Sequence, residues 1–236
     1  MEESKGRRPL LVFDVNETLL DIEVLAPIFC SIFGQPGKMR EWFAQLILYS
    51  QALSLSERHV PFEALGGGVL KMLGDIHNIA VSDDDARALG HAISSLPLHA
   101  DVAPALDRLA SAGFRLVTLT NSSSGGARDP LADAGVADRF EHRFTVTEVG
   151  RFKPSPVTYQ QVSDMLGIEP KHCLLIAAHT WDTLGAQSQG WKAALLTRGA
   201  NAPLRVKNVP QPDYVEAGME DLASVLISRF EICGRT

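Results

Sequence analysis

The sequence predicts an α/β fold, an open parallel sheet with helices on both faces and a helical segment inserted after the first strand. Three observations carry this. Short β-type runs alternate with helical patterns along most of the chain, as in sheets built from strand–helix–strand units. The best of these runs are apolar on both faces, as strands covered on two sides must be. From Ile22 to Leu96 the alternation stops, and only helical periodicity remains.

The strand candidates, in order, are Leu10–Phe13, Arg115–Leu119, Arg143–Thr147, Cys173–Ala178 and Ala193–Thr197. Helix candidates lie at Ala103–Ala112, Pro156–Met165, Thr183–Gln189 and Glu220–Phe230. Pro156 after Ser155 fits a helix start, with a capping hydroxyl and proline in the first turn. Within the inserted stretch, Ala26, Phe29, Cys30 and Phe33 share a helix face, as do Trp42, Leu46 and Tyr49. Ser82 with Asp85 three residues later resembles a capping box. Gly66-Gly67-Gly68 starts a helix or bends a loop; without a preceding strand or a following Lys-Ser/Thr it is a poor phosphate cradle. The segment Ala200–Tyr214 reads as a loop at the edge of the core.

The chain of 236 residues is long enough for a substantial core. With 45% hydrophobic and 21% charged residues, its composition is that of a soluble globular protein. A net charge of −6 provides no general attraction for nucleic acid or anionic membranes. Lys5-Gly6-Arg7-Arg8 reads as a solvated tail. The three cysteines, Cys30, Cys173 and Cys233, show no metal-ligand spacing, and the first two read as small core residues. No run approaches the roughly 18 apolar residues of a membrane span, and the N-terminus lacks a signal peptide's apolar core. A cytoplasmic enzyme is the expectation.

Four polar stations stand out. Asp14 ends the apolar run Leu10-Leu11-Val12-Phe13, an exposed and rigid position that suits a nucleophile. Thr120-Asn121-Ser122, then Lys153 before Pro154, then Asp182 after His179-Thr180-Trp181 follow it. In an open parallel sheet, residues just past the strands' carboxyl ends face one crevice. Asp14, Thr18, Thr120, Asn121, Lys153 and Asp182 should therefore converge.

In that order and type of residues the chain resembles the haloacid dehalogenase-like hydrolase superfamily over nearly its whole length. The resemblance implies a Rossmann-like core from residues 1–21 and 98–236, a helical cap from 22–97, and an aspartyl-ester mechanism. The phosphatases of that superfamily carry a second Asp two residues past the nucleophile. Here that position is Asn16, whose amide cannot shuttle a proton. The run from Lys153-Pro154 to Tyr159, and Ala177-Ala178-His179-Thr180-Trp181-Asp182, instead resemble the 2-haloacid dehalogenase branch.

That resemblance implies that Asp14 attacks C2 of a short 2-substituted carboxylic acid and water then hydrolyses the ester. Lys153 would keep Asp14 ionised, and Asp182 would position Lys153. Thr18, Thr120 and Asn121, with Asn16 and Ser122 beside them, would bind the nucleophile or the substrate carboxylate. Tyr159 would support Lys153 or Asp14. Hydroxyls at strand ends also simply satisfy loop backbone, so Thr18, Thr120 and Tyr159 have that second reading. His179 is either a base that holds water or receives the leaving group, or a hydrogen-bonded loop histidine. Trp181 packs the pocket wall.

Relatives in this branch use a cap arginine to receive the halide. Registering the chain by Trp42 and Tyr49 puts Phe43 in that slot, with Arg40 roughly one turn off and pointing elsewhere. Either the halide has a different cradle, or the enzyme is a branch member that hydrolyses a non-halide bond at C2. Trp42 and Phe43 are candidate cap-side pocket residues, though their spacing also suits a packed helix face. The resemblance implies no organic cofactor and no metal. A phosphatase would instead place Mg²⁺ on Asp14, the Asn16 carbonyl and Asp182. Expected partners are a small carboxylate substrate and a second copy of the chain in a homodimer.

Overall fold

A computed structural model describes residues 8–123 and 128–232. Its sheet has six strands: β1 (Leu10–Phe13), β2 (Leu116–Thr120), β3 (His142–Thr145), β4 (Cys173–Ala177), β5 (Lys192–Leu196) and β6 (Tyr214–Glu216). They lie in the order β3-β2-β1-β4-β5-β6, with every pair parallel. The helices are α1 (Ala26–Phe33), α2 (Lys38–Leu55), α3 (Phe62–His77), α4 (Asp83–Ile93), α5 (Val102–Ser111), the one-turn α6 (Pro130–Asp133), α7 (Pro156–Leu166), α8 (Thr180–Ser188) and α9 (Met219–Ile232). The basic cluster at residues 5–8, apart from Arg8, and Cys233 lie outside the described residues.

Successive strand residues point to opposite faces, so a strand apolar throughout feeds two cores. Leu11 and Phe13 of β1, with Leu174 and Ile176 of β4, join the core that contains α5, α9 and the helical insertion. Leu10 and Val12, with Cys173, Leu175 and Ala177, join Tyr159 and Val162 of α7 and Ala186 of α8 on the other face. Fully burying such side chains contributes about 1.5–3 kcal/mol each before chain entropy is set against it.

Between β1 and β2 there are only helices and a short 3₁₀ turn, and α1–α4 pack on one another. The capping box at α4 forms in both directions. Ser82 Oγ accepts from the Asp85 N–H at 3.1 Å, and Asp85 accepts from the Ser82 N–H at 2.8 Å. Asp83 and Asp84 add negative charge at that helix's positive end.

Several expectations fail at their edges. The three glycines sit inside α3, neither starting it nor bending a loop. At Gly66 the reason is close approach: the Trp42 indole N–H donates to its carbonyl at 2.9 Å, and a Cβ there would lie 3.3 Å from the indole, whereas nothing comparable crowds Gly67 or Gly68. Ser155 precedes α7, but its hydroxyl makes no capping bond; its carbonyl accepts from Thr158 Oγ1 instead. Helix α8 begins at Thr180, three residues early, which puts Asp182 inside its first turn. Cys30 is exposed, because the buried side of α1 is centred on Phe29 and Phe33. Tyr49 is 40% exposed, because α2 buries Met39, Trp42, Phe43, Leu46, Ile47 and Ser50. Tyr214 opens β6, a short edge strand whose half-exposed residues leave no apolar signature.

Candidate active site

Asp14, Thr120, Asn121, His179 and Asp182 follow the carboxyl ends of β1, β2 and β4, neighbours at the centre of the sheet, and Lys153 comes from the segment between β3 and α7. Asp14 is buried rather than exposed, and its N–H joins the ladder to the Ile176 carbonyl at 3.0 Å.

Lys153 is completely buried and its ammonium has three donors to place. All three find acceptors: Asp14 Oδ1 at 2.8 Å, Asp182 Oδ2 at 2.5 Å and the Leu119 carbonyl at 3.0 Å. The other Asp182 oxygen accepts from the Tyr159 hydroxyl at 2.7 Å. The other Asp14 oxygen accepts from Thr18 Oγ1 at 2.6 Å, and Thr18 in turn accepts from the Ala178 N–H. Asn121 Oδ1 fixes the Lys153 backbone N–H at 2.9 Å. Burial alone would favour a protonated Asp14, yet Lys153 and His179 outweigh it and hold the carboxyl below its usual range. Burial opposes the Lys153 cation as well, but the two aspartates keep its pKa raised. Tyr159 is pushed well above its usual value by burial and by Asp182, so it stays a donor. Gly185 is required here. A Cβ at that position would lie 2.4 Å from the Tyr159 hydroxyl and 2.6 Å from Pro154 Cβ.

A second arm reaches Asp14 from the other side. His179 is buried, with Nδ1 3.4 Å from Asp14 Oδ2 and Nε2 2.8 Å from Glu17 Oε2. The Nδ1 contact is charge attraction at a length beyond a good hydrogen bond, and Nδ1 has no hydrogen-bond partner. Burial disfavours the imidazolium, but Asp14 and Glu17 outweigh it and raise the His179 pKa to about 9. Trp181 stacks on the imidazole at 5.1 Å between ring centres, and Phe43 lies at 5.5 Å. The Arg40 guanidinium binds the remaining Glu17 oxygen and reaches Glu23 beyond it. Glu17 is buried with φ of 66°, and despite its burial His179 and Arg40 hold its pKa down.

Sequence reasoning missed Glu17 entirely. Its loop position gives no periodicity from which burial can be read. The signal that was available is a glutamate within four residues of the nucleophile candidate, paired with a histidine in the last motif.

Asn16 and Ser122 meet each other, amide to hydroxyl at 3.0 Å, and the Thr120 hydroxyl accepts from the Ser122 N–H at 3.1 Å. These three line a cavity of about 650 Å³ that runs outward past Glu63 and Arg143. Trp42 and Phe43 line a separate small cavity beside Asn16. The Trp42 N–H is spent on Gly66, and its ring packs on Phe29 at 5.4 Å.

A Mg²⁺ site does not fit this arrangement. Both oxygens of Asp14 and both of Asp182 are engaged by Lys153, Thr18 and Tyr159. The side chain where a further carboxylate would stand is the Asn16 amide. No step below passes through a metal.

The family model of haloacid dehalogenase-like hydrolases matches residues 9–190. The chain belongs to that family. It is 26% identical over 228 residues to (S)-2-haloacid dehalogenase 2 of Pseudomonas sp. strain CBS-3, covering 96% of this chain and 97% of the relative. The (S)-2-haloacid dehalogenase of Pseudomonas fluorescens is 24% identical over 224 residues, 93% and 97% of the two chains. The fold matches that of L-2-haloacid dehalogenase from Xanthobacter autotrophicus with chloropropionic acid covalently bound. The TM-score is 0.83 at 22% identity, over 93% of this chain and 98% of that one. Among the described residues, no helix of this hydrolase is long and apolar enough to cross a membrane.

Proposed function

We propose that this hydrolase displaces a halide from C2 of a short 2-halocarboxylate through an ester on Asp14, with residues 22–97 acting as its cap. The observation that carries the reading is the buried Lys153 ammonium bonded to Asp14 and Asp182 together. It keeps Asp14 anionic at a site from which water is excluded, which a carboxylate nucleophile requires. The (S)-2-haloacid dehalogenases among the relatives supply the substrate class.

In this reading Asp14 attacks C2 in line with the departing halide, inverting that carbon. Lys153 and Thr18 aim the carboxylate, while Asp182 and Tyr159 hold Lys153. Asn16, Thr120 and Ser122, which line the larger cavity, receive the substrate carboxylate with Asn121 beside them. The halide leaves toward the His179 imidazolium, bounded by Trp181 and Phe43, which takes the place of the relatives' arginine. After departure, His179 held by Glu17 draws a proton from the water that attacks the ester. The free thiols Cys30 and Cys173 suit a reducing compartment, which supports a cytoplasmic location.

The test is metal-free turnover of L- and D-2-chloropropionate, with halide and 2-hydroxy acid measured, beside p-nitrophenyl phosphate with Mg²⁺. Chloride release from one enantiomer in the presence of chelator is expected. Phosphate release that requires Mg²⁺, without chloride release, would overturn the reading in favour of a phosphatase.

A further inference from the structure

Resting on that reading, we propose that ester formation at Asp14 itself converts His179 from a cation into a base, so that the enzyme releases its proton with the halide and before water attacks. The geometry sets this up. His179 lies between two carboxylates, with Nε2 2.8 Å from Glu17 and Nδ1 3.4 Å from Asp14. Only the second of these is consumed by the reaction.

Among the described residues, no carboxylate besides Asp14 and Glu17 pairs with the ring, and the substrate's own carboxylate is assigned to Asn16, Thr120 and Ser122. Trp181 of α8 and Phe43 of α2 lie against the imidazole and carry no charge. Arg40 approaches the ring through Glu17; Lys153 bonds Asp14 and also lies over the Trp181 ring, 5.7 Å from its centre. Asp182 is bonded to Lys153 and Tyr159. Once Asp14 becomes a neutral ester, the Lys153 charge is less compensated, which disfavours the imidazolium further. Loss of an opposite charge at this range shifts a pKa by about 1–3 units. From about 9 in the resting enzyme, that carries His179 into the neutral range where a general base works best. Before attack, the same proton makes His179 a cation facing the departing halide.

The steps balance. Asp14 carboxylate and the 2-halocarboxylate give the ester and a halide ion while His179 stays protonated. The proton and halide then depart together. Neutral His179 takes one proton from water as the oxygen adds to the ester carbonyl. Collapse of the adduct breaks the bond between the Asp14 carboxyl carbon and the oxygen carried by C2. The remaining water proton on the new carboxyl passes to that oxygen, which yields the 2-hydroxy acid, Asp14 carboxylate and protonated His179, the starting state.

Asp14→Asn gives a neutral group of the same size, so the coupling is measurable without substrate. In ¹⁵N-histidine-labelled protein, the His179 resonances report its titration midpoint and the fold together. The midpoint should fall by at least one unit from wild type to Asp14→Asn. Asp14→Ser provides the same comparison if the amide variant fails to fold. An unchanged midpoint in a folded variant overturns the inference. A falling midpoint in an enzyme that releases no halide supports the coupling and removes only the substrate assignment. Halide release with an unmoved midpoint removes the inference alone. In wild-type single turnovers, proton release should track halide, and release that tracks 2-hydroxy acid contradicts it.

Discussion

Replacing Lys153 by methionine keeps the length and packing of the stem while deleting the charge that Asp14 and Asp182 share. The ammonium is completely buried and makes three hydrogen bonds, to Asp14, Asp182 and the Leu119 carbonyl. Two unit charges about 4 Å apart interact by about 4 kcal/mol at the effective dielectric of about 20 that suits such sites. At 1.36 kcal/mol per unit, that is up to about 3 pKa units for each of the two aspartates, since Lys153 pairs with both. Removing one partner of a buried pair costs about 3–5 kcal/mol of stability. Lys153→Met should therefore lose about that much in urea unfolding. The acidic limb of its ester-formation rate should move up by about 1–3 units, because the aspartates now share a proton. Rapid-quench mass spectrometry of the Asp14 peptide between pH 4 and 8 follows the limb. A variant with wild-type stability and an unshifted limb would refute the role given to Lys153.

Glu17→Gln removes the anion that orients His179, so ester hydrolysis should slow by about 10²–10⁴-fold while ester formation persists, and the Asp14 adduct should accumulate in mass spectra. Gly185→Ala drives a methyl into Tyr159 and Pro154; it should cost about 1–3 kcal/mol and lower kcat with little change in KM. Trp42→Phe loses one buried hydrogen bond and should destabilise by about 1–2 kcal/mol in thermal unfolding, with kcat/KM within about threefold of wild type. The His179 pKa is raised in the fold, so its stabilisation is complete below its ordinary value of 6.5 and is lost as pH rises through about 9. Urea midpoints of wild type should decline across that window by the equivalent of about 3 kcal/mol, and those of His179→Asn should not.

How much was legible in the sequence follows from what each residue's placement depends on. The five longer strands read correctly to within about two residues; double-sided burial imposes near-continuous apolar runs on β1, β2 and β4, while β3, with His142 and Arg143 exposed, shows only a partial one. Asp14 was legible because it follows a central strand's carboxyl end, whereas Lys153, in the segment before α7, and Asp182, in the first turn of α8, were legible from their motifs. Side-chain direction on the insertion was not. Arg40 reaches Glu17 because its long stem spans the offset that helical periodicity predicts, and the buried Glu17 is paired with both Arg40 and His179. Such mutual dependence leaves no periodic trace. Gly66 misled for a related reason, since the indole it accommodates is 24 residues away.

The central claim is that Asp14 carries the substrate as an ester. A single turnover with enzyme in excess over 2-chloropropionate in ¹⁸O-water tests it most directly. The account predicts ¹⁸O in the carboxylate of the Asp14 peptide and unlabelled oxygen in the 2-hydroxy acid formed. Label in the product hydroxyl with none at Asp14 would mean that water attacks C2 directly, and would contradict the account.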